Sequence, residues 1–194
     1  MQIACPPRSW SSWRSLVNEL PANARVAARC RAARAVVFLT VNLVDELRAV
    51  TRALREAGVA YAVCGGIAVT IHGATRTTKD IDVLIAPSDL DRAVTAVRSI
   101  GFEYAALPMT FDAGTSRERN VRRISKLHEG EHMILDVIVA DASLADALDD
   151  RVDVDLPDGR LTVVSRATLI RMKRLAGRAQ DLADIEALER GRGE

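Results

Sequence analysis

Aromatic side chains make up only 4% of this 194-residue chain. That is too few to build a surface that holds nucleic acid by stacking its bases. The net charge is +1, which excludes a global field for polyanions and leaves any RNA contact to a local basic patch. Cysteine is scarce and odd in number (Cys5, Cys30 and Cys64), with no metal-ligand spacing, so a disulfide framework and a zinc knuckle are both poor readings and a reducing cytoplasm fits best. No apolar run approaches the roughly 20 residues that cross a bilayer. The longest near the start, Ala35 to Val41, is also a poor secretory core. The expectation is a cytoplasmic protein without a membrane partner. Lysine is nearly missing: 3 residues against 24 arginines, a bias that, with abundant Ala and Val, suggests a GC-rich bacterial genome and makes any single arginine a weak signal.

What is present is enough apolar residue, 48%, for one compact domain with at most a small helical appendage. That domain is expected over residues 42–190, including C-terminal helices over 165–190. Residues 1–41 differ in composition. The first forty carry six Arg against one acid, Glu19, with Pro6-Pro7 and two Trp. They read as a basic extension without catalytic function: a mobile arm, a helix docked on the domain, or residues upstream of the native start.

The chemistry concentrates in Tyr61-Ala-Val-Cys-Gly-Gly-Ile-Ala-Val-Thr-Ile-His-Gly-Ala-Thr-Arg-Thr-Thr-Lys-Asp80-Ile-Asp82-Val-Leu-Ile85. An apolar strand enters a Gly65-Gly66 turn and an amphipathic helix carrying Ile67, Ala68 and Ile71. A basic loop with Arg76 and Lys79 then leads into a second strand. Side chains alternate along a strand, so Asp80 and Asp82 share a face, roughly 7 Å apart. Two such carboxylates repel unless a cation or a proton intervenes, which points to metal. Asp136 is the only polar residue in the apolar run Met133 to Ala140, and a lone carboxylate there is costly unless paired, hydrogen-bonded or metal-bound. If the two strands are neighbours, three carboxylates converge, a donor set suited to magnesium and phosphates.

On these residues the chain resembles the nucleotidyltransferase superfamily, whose signature is a hydrophobic residue, Gly-Gly or Gly-Ser, a short gap and Asp-x-Asp. The gap between Gly66 and Asp80 is thirteen residues. Within the superfamily it is similar to the small bacterial AbiEii-type toxins of type IV toxin–antitoxin systems, which also carry a helical Lys…Asp-x-x-Asp element, matched here by Lys173, Asp181 and Asp184. The resemblance covers about residues 42–190. It departs at Gly66, where a Ser would add a hydroxyl for phosphate.

The resemblance implies an α/β (α+β) fold with a mixed sheet flanked by helices, and NMP transfer from an NTP to an acceptor hydroxyl with release of pyrophosphate. It also implies Mg2+ (or Mn2+) held by Asp80, Asp82 and Asp136, and nucleotide contacts from Gly65, Gly66, Lys173 and Asp181; Arg76 and Lys79, just before the Asp pair, are placed to reach phosphate as well. Asp136 would in addition help deprotonate the acceptor. These residues have plainer alternatives: a tight turn for the glycines, a solvent-facing edge strand for Asp80 and Asp82, a solvated face for Lys173 and a solvated loop for Arg76 and Lys79, an ion-pair partner of Arg178 or Lys173 for Asp181. The acceptor stays open. A tRNA 3′ end is one reading, with Arg117, Arg119, Arg122, Arg123 and Lys126 as a basic stripe. A partner protein (the cognate toxin or antitoxin) that is adenylylated, an aminoglycoside-type small molecule, and a non-catalytic partner-binding module are the others.

The remaining pattern predicts a helix over 42–57, a helix from a Ser88 N-cap to about Ile100, a short strand over 102–105 and a polar loop over the site at 106–120. A hairpin follows, turning at Glu129-Gly130-Glu131, then a helix over 143–149 and a second hairpin at Pro157-Asp158-Gly159. Ser165 caps a helix through Leu175, and a last helix runs over 178–189.

Overall fold

A computed structural model describes residues 41–128, 131–156 and 159–190. The expectations for residues 1–40, and the tips of both hairpins at 129–130 and 157–158, lie outside the described residues.

The chain opens with α1 (Val41–Glu56), whose Leu43, Leu47, Val50 and Leu54 form a buried stripe at helical spacing. There follow β1 (Tyr61–Val63), the short α2 (Gly65–Ile71) and β2 (Asp80–Ile85). A single 3-10 turn, Pro87–Asp89, leads into α3 (Leu90–Arg98). Next come β3 (Tyr104–Ala105), β4 (Met109–Phe111), β5 (Arg119–His128) and β6 (Glu131–Val139). After a 3-10 turn at Ala142–Leu144, the chain ends in β7 (Val152–Leu156), β8 (Gly159–Val163), α4 (Arg166–Ala176) and α5 (Ala179–Arg190). The strands form one mixed sheet in the order β3-β5-β6-β2-β1-β8-β7, with β4 sharing the β5 edge with β3. At its centre β2 is antiparallel to β1 and parallel to β6. This is the α/β fold with a mixed sheet that the sequence implies.

Alternation divides the sheet's side chains between two helical layers. On one face Ile81, Val83, Leu135 and Val137 join Leu54, Val97 and Phe102 in an apolar cluster beneath α1 and α3. On the other, Leu84 and Ala62 pack with Leu169, Met172 and Leu188 of α4 and α5. The same alternation puts Asp80, Asp82 and Asp136 on the α4–α5 face.

Four local expectations need correction. The helix α2 is not amphipathic: every residue from Gly66 to Ile71 is buried, because Ile67 and Ile71 face the first cluster while Ala68 and Val69 face the second. The segment 106–120 is not all loop. Its Met109–Phe111 pairs with β5, which itself starts at Arg119, since the long β5 offers an outer edge that needs partners. Residues 143–149 form a 3-10 turn and further hydrogen-bonded turns in place of a helix; Asp146 is held by Arg171, and Asp150 by Ser165 and Thr168, so side-chain bonds set the path. Ser88 is not an N-cap. It lies inside the 3-10 turn, and Asp89 turns its carboxylate back to the Ala60 N–H and to Arg92. By contrast, Ser165 caps α4 as expected, accepting from the Thr168 N–H at 3.1 Å, and Gly177 closes it with a left-handed φ of 64°.

Candidate active site

The parallel pairing of β2 with β6 places Asp82 directly opposite Asp136, with Asp80 one repeat further along, opposite Ile134. The three carboxylates thus lie on one face of two adjacent strands although they come from distant parts of the chain. Asp82 carries the electrostatic cost of this convergence. Burial pushes its carboxyl up to about 6, and the like charges of Asp136 and Asp80 add to the shift. Lys173 and Arg178 pull it down. Among the described residues no hydrogen-bond donor reaches its side chain. Beneath it the Cys64 thiol is fully buried, and burial, with Asp82 next, raises its pKa well above the ordinary value, which leaves it an uncharged floor.

The glycine turn lies against these carboxylates. Gly65 has φ 61°, and a Cβ there would sit 1.9 Å from Asp82 Oδ2, so both conformation and space demand glycine. A Cβ at Gly66 would lie 2.8 Å from Thr78 Cβ and 3.0 Å from its hydroxyl oxygen. The volume a serine would need at this position is therefore occupied by Thr78, which accounts for the departure from Gly-Ser. Position 66 has no hydroxyl, but the Thr78 hydroxyl stands beside the turn.

Asp136 is already engaged. Arg123 donates from Nε to Oδ1 at 2.8 Å and from Nη2 to Oδ2 at 2.7 Å, a fork-to-carboxylate pair of the strong, geometrically specific kind. The Asp136 bonds raise the Arg123 pKa, so this guanidinium is permanently charged. Sequence reading grouped Arg123 with a basic stripe and missed this role. The signal lay in the hairpin, whose strand register sets Arg123 opposite Asp136.

The other predicted residues gather on α4 and α5. Lys173 is buried, and its ammonium donates to Asp184 at 2.6 Å and to Asp181 at 3.2 Å. Burial raises the Asp181 carboxyl, but the bonds and charges of Arg178 and Lys173 outweigh it, and its pKa ends below the usual range. Arg76 brings its Nε within 3.7 Å of Asp184, tying the loop before Asp80 to the same cluster. Lys79 is exposed. The suggested RNA-binding stripe does not form one surface. Arg122 and Arg123 alternate along β5, Arg119 pairs with Asp112, Lys126 with Glu46 of α1, and Arg117 donates to the Leu175 carbonyl.

Among the described residues, no three His, Cys, Asp or Glu side chains surround a common centre suited to a metal ion, in keeping with Arg123 holding Asp136. Asp80 and Asp82 nevertheless fit a divalent cation. They are hard oxygen donors on one face of a strand, and the like-charge repulsion at Asp82, which Lys173 and Arg178 offset only in part, meets no hydrogen-bond donor among the described residues.

No protein-family model matches the sequence, and no curated protein is found as a sequence relative. Solved structures do match. The chain is similar to the antibiotic-resistance factor ANT(2'')-Ia in complex with adenylyl-2''-tobramycin, at a TM-score of 0.53 and 13% identity, over 79% of this chain and 91% of that one. A solution structure of ANT(2'')-Ia matches at a TM-score of 0.54 and 12% identity, over 80% and 86% of the two chains. The shared fold is that of a nucleotidyltransferase. At this identity the likeness concerns the nucleotidyltransferase fold alone, and the roles of the carboxylates rest on their own geometry. No helix among the described residues is long and apolar enough to cross a membrane.

Proposed function

We propose that this protein is a divalent-metal-dependent nucleotidyltransferase that moves NMP from an NTP to an acceptor hydroxyl. The observation that carries the reading is the β2–β6 register, which sets Asp82 beside Asp136 while Gly65 packs its bare backbone against Asp82. Asp80 and Asp82 would hold magnesium or manganese, which when bound offsets the charge of the triphosphate and of the departing pyrophosphate. The chain's own groups do the rest. The first N–H groups of α2, at Gly65 and Gly66, have no partner within the helix and can face phosphate oxygens. Arg123 fixes the Asp136 carboxylate in one orientation beside Asp82, where it takes the proton of the acceptor hydroxyl. The hydroxyl oxygen bonds to the α-phosphorus, the bond to the bridging oxygen breaks, and pyrophosphate leaves with that electron pair. Arg76 and Lys79 frame the entry to the site, and Lys173 with Asp181 supports it from beneath.

For the acceptor, the dispersal and pairing of the β5 arginines favour a small hydroxyl-bearing molecule over a tRNA 3′ end. The adenylylated tobramycin held by ANT(2'')-Ia is an instance of that acceptor class in the same fold. A tRNA-modifying toxin or a protein-adenylylating antitoxin would reveal itself in the same assay. Purified protein is incubated with each α-labelled NTP, magnesium, and in turn an aminoglycoside panel, total tRNA and cell lysate, with Asp82→Asn as control. Label on a small molecule, on RNA or on a protein band identifies the acceptor. Transfer retained by Asp82→Asn would overturn the assignment of the site.

A further inference from the structure

Three cations, Lys173, Arg178 and Arg76, share two carboxylates, Asp181 and Asp184, where α4 meets α5. The cluster therefore carries one positive charge in excess, and burial decides which group presents it. The side chains of Lys173, Asp181 and Asp184 are 7%, 2% and 5% exposed, whereas that of Arg178 is 78% exposed. Lys173 is saturated by two aspartates and faces inward. Arg178 stands on the same platform and faces solvent.

Its chemistry fits an anion. The Asp181 carboxylate takes Arg178 Nε at 2.7 Å and Nη2 at 3.2 Å. A guanidinium has five N–H donors, so one edge is spent on Asp181 and the Nη1 edge remains free for two oxygens of a phosphate. Such an anchored fork has its orientation fixed in advance, which a free lysine lacks. Its position is fixed from three sides. Gly177, immediately before it, makes the left-handed turn, and the Arg117 guanidinium lies 3.2 Å from where a Cβ at Gly177 would be. Arg117 also donates to the Leu175 carbonyl from the β4–β5 loop at 2.8 Å. Arg76 reaches the cluster from the loop that precedes Asp80. Arg178 thus stands where the loops bordering the three carboxylates come together, and its charge and that of Asp82 act on each other.

We infer that Arg178, and not the buried Lys173, is the side chain that grips the polyphosphate tail of the nucleotide, with Asp181 and Lys173 acting as positioning residues that hold its fork. This rests on the nucleotidyltransferase reading of the site and names its missing phosphate contact. The test uses the full-length protein and inorganic tripolyphosphate with magnesium, titrated by calorimetry, alongside steady-state kinetics for NTP. Arg178→Ala is expected to weaken tripolyphosphate binding by about ten- to a hundredfold and to raise KM for NTP more than it lowers kcat, with an unchanged melting temperature. Arg178→Lys should recover only part of the affinity, because it restores charge without the fork. Asp181→Asn should weaken binding in the same direction by freeing the guanidinium. Tripolyphosphate binding that is equal in wild type and Arg178→Ala, yet lost in Asp82→Asn, would overturn this inference and leave the proposed function standing. No binding by the wild type would overturn both.

Discussion

The two faces of the sheet are built from the same strands and by opposite rules. Beneath α1 and α3 the strands contribute Ile81, Val83, Leu135 and Val137 to an apolar cluster, with the Lys126–Glu46 pair beside Phe102. Beneath α4 and α5 the intervening residues of the same strands contribute Asp80, Asp82 and Asp136, ringed by Arg123, Arg178 and Lys173. The first face is stabilised by apolar burial, which is indifferent to direction. The second holds charges whose repulsion is only partly answered, as in sites that keep a place for a cationic ligand. A one-residue slip of β2 would exchange the faces and abolish both, so the apolar face fixes the register that the site depends on.

Breaking the first face should give the largest effect. Phe102 is fully buried there, and Phe102→Ala is expected to cost about 3–5 kcal/mol, read as a lower urea midpoint. Turnover per folded molecule should stay near wild type; a specific loss of turnover would mean that the two faces are coupled more tightly than their separate packing implies.

The second face should respond in the opposite sense. The Asp82 carboxyl is raised to about 6 in the folded protein, so the folded state holds its proton more tightly than the unfolded chain. Stability from this group is full below the ordinary aspartate range, falls as pH rises towards about 6, and is absent above it. Asp82→Asn is therefore expected to stabilise the metal-free protein by about 1–3 kcal/mol at pH 8, with a smaller gain at pH 4, as measured by chemical denaturation at the two pH values. Destabilisation at pH 8 would show that the ionised carboxylate is satisfied after all.

The mildest test sharpens the same contrast. Magnesium should compete with the Asp82 proton, so its affinity is expected to weaken by up to about tenfold per pH unit below 6, with little change between pH 7 and 8. Calorimetric titration at fixed ionic strength measures this. A flat profile would place the ion elsewhere.

Period-two alternation was enough to put Asp80 and Asp82 on one face, and the apolar run around Asp136 was enough to mark a central strand. That the two strands are neighbours was legible only as a condition and through the family resemblance, because it depends on parallel pairing of two strands far apart in sequence. The role of Arg123 was hidden because its partner Asp136 lies across the β5–β6 pair, and the sequence alone showed only another arginine in a basic stretch. The all-round burial of α2 escaped because seven residues are too few to display a periodicity. Lys173 was legible in principle: it falls four residues after Leu169 and next to Met172, on the stripe that α4 buries. The short β4 was hidden by the polar residues on either side of it.

The β2–β6 pairing has a further consequence during synthesis. Strand β2 leaves the ribosome with β1 able to cover one of its edges, while its other edge must wait for β6, which is made much later. A bare strand rich in isoleucine, leucine and valine invites pairing with whatever strand is nearest, and charged residues set within such a strand discourage it. Asp80 and Asp82 are those charges. The carboxylates of the proposed site are thus also placed to guard the nascent chain against misassembly, and neutral substitutions there are expected to cost soluble yield separately from any loss of activity.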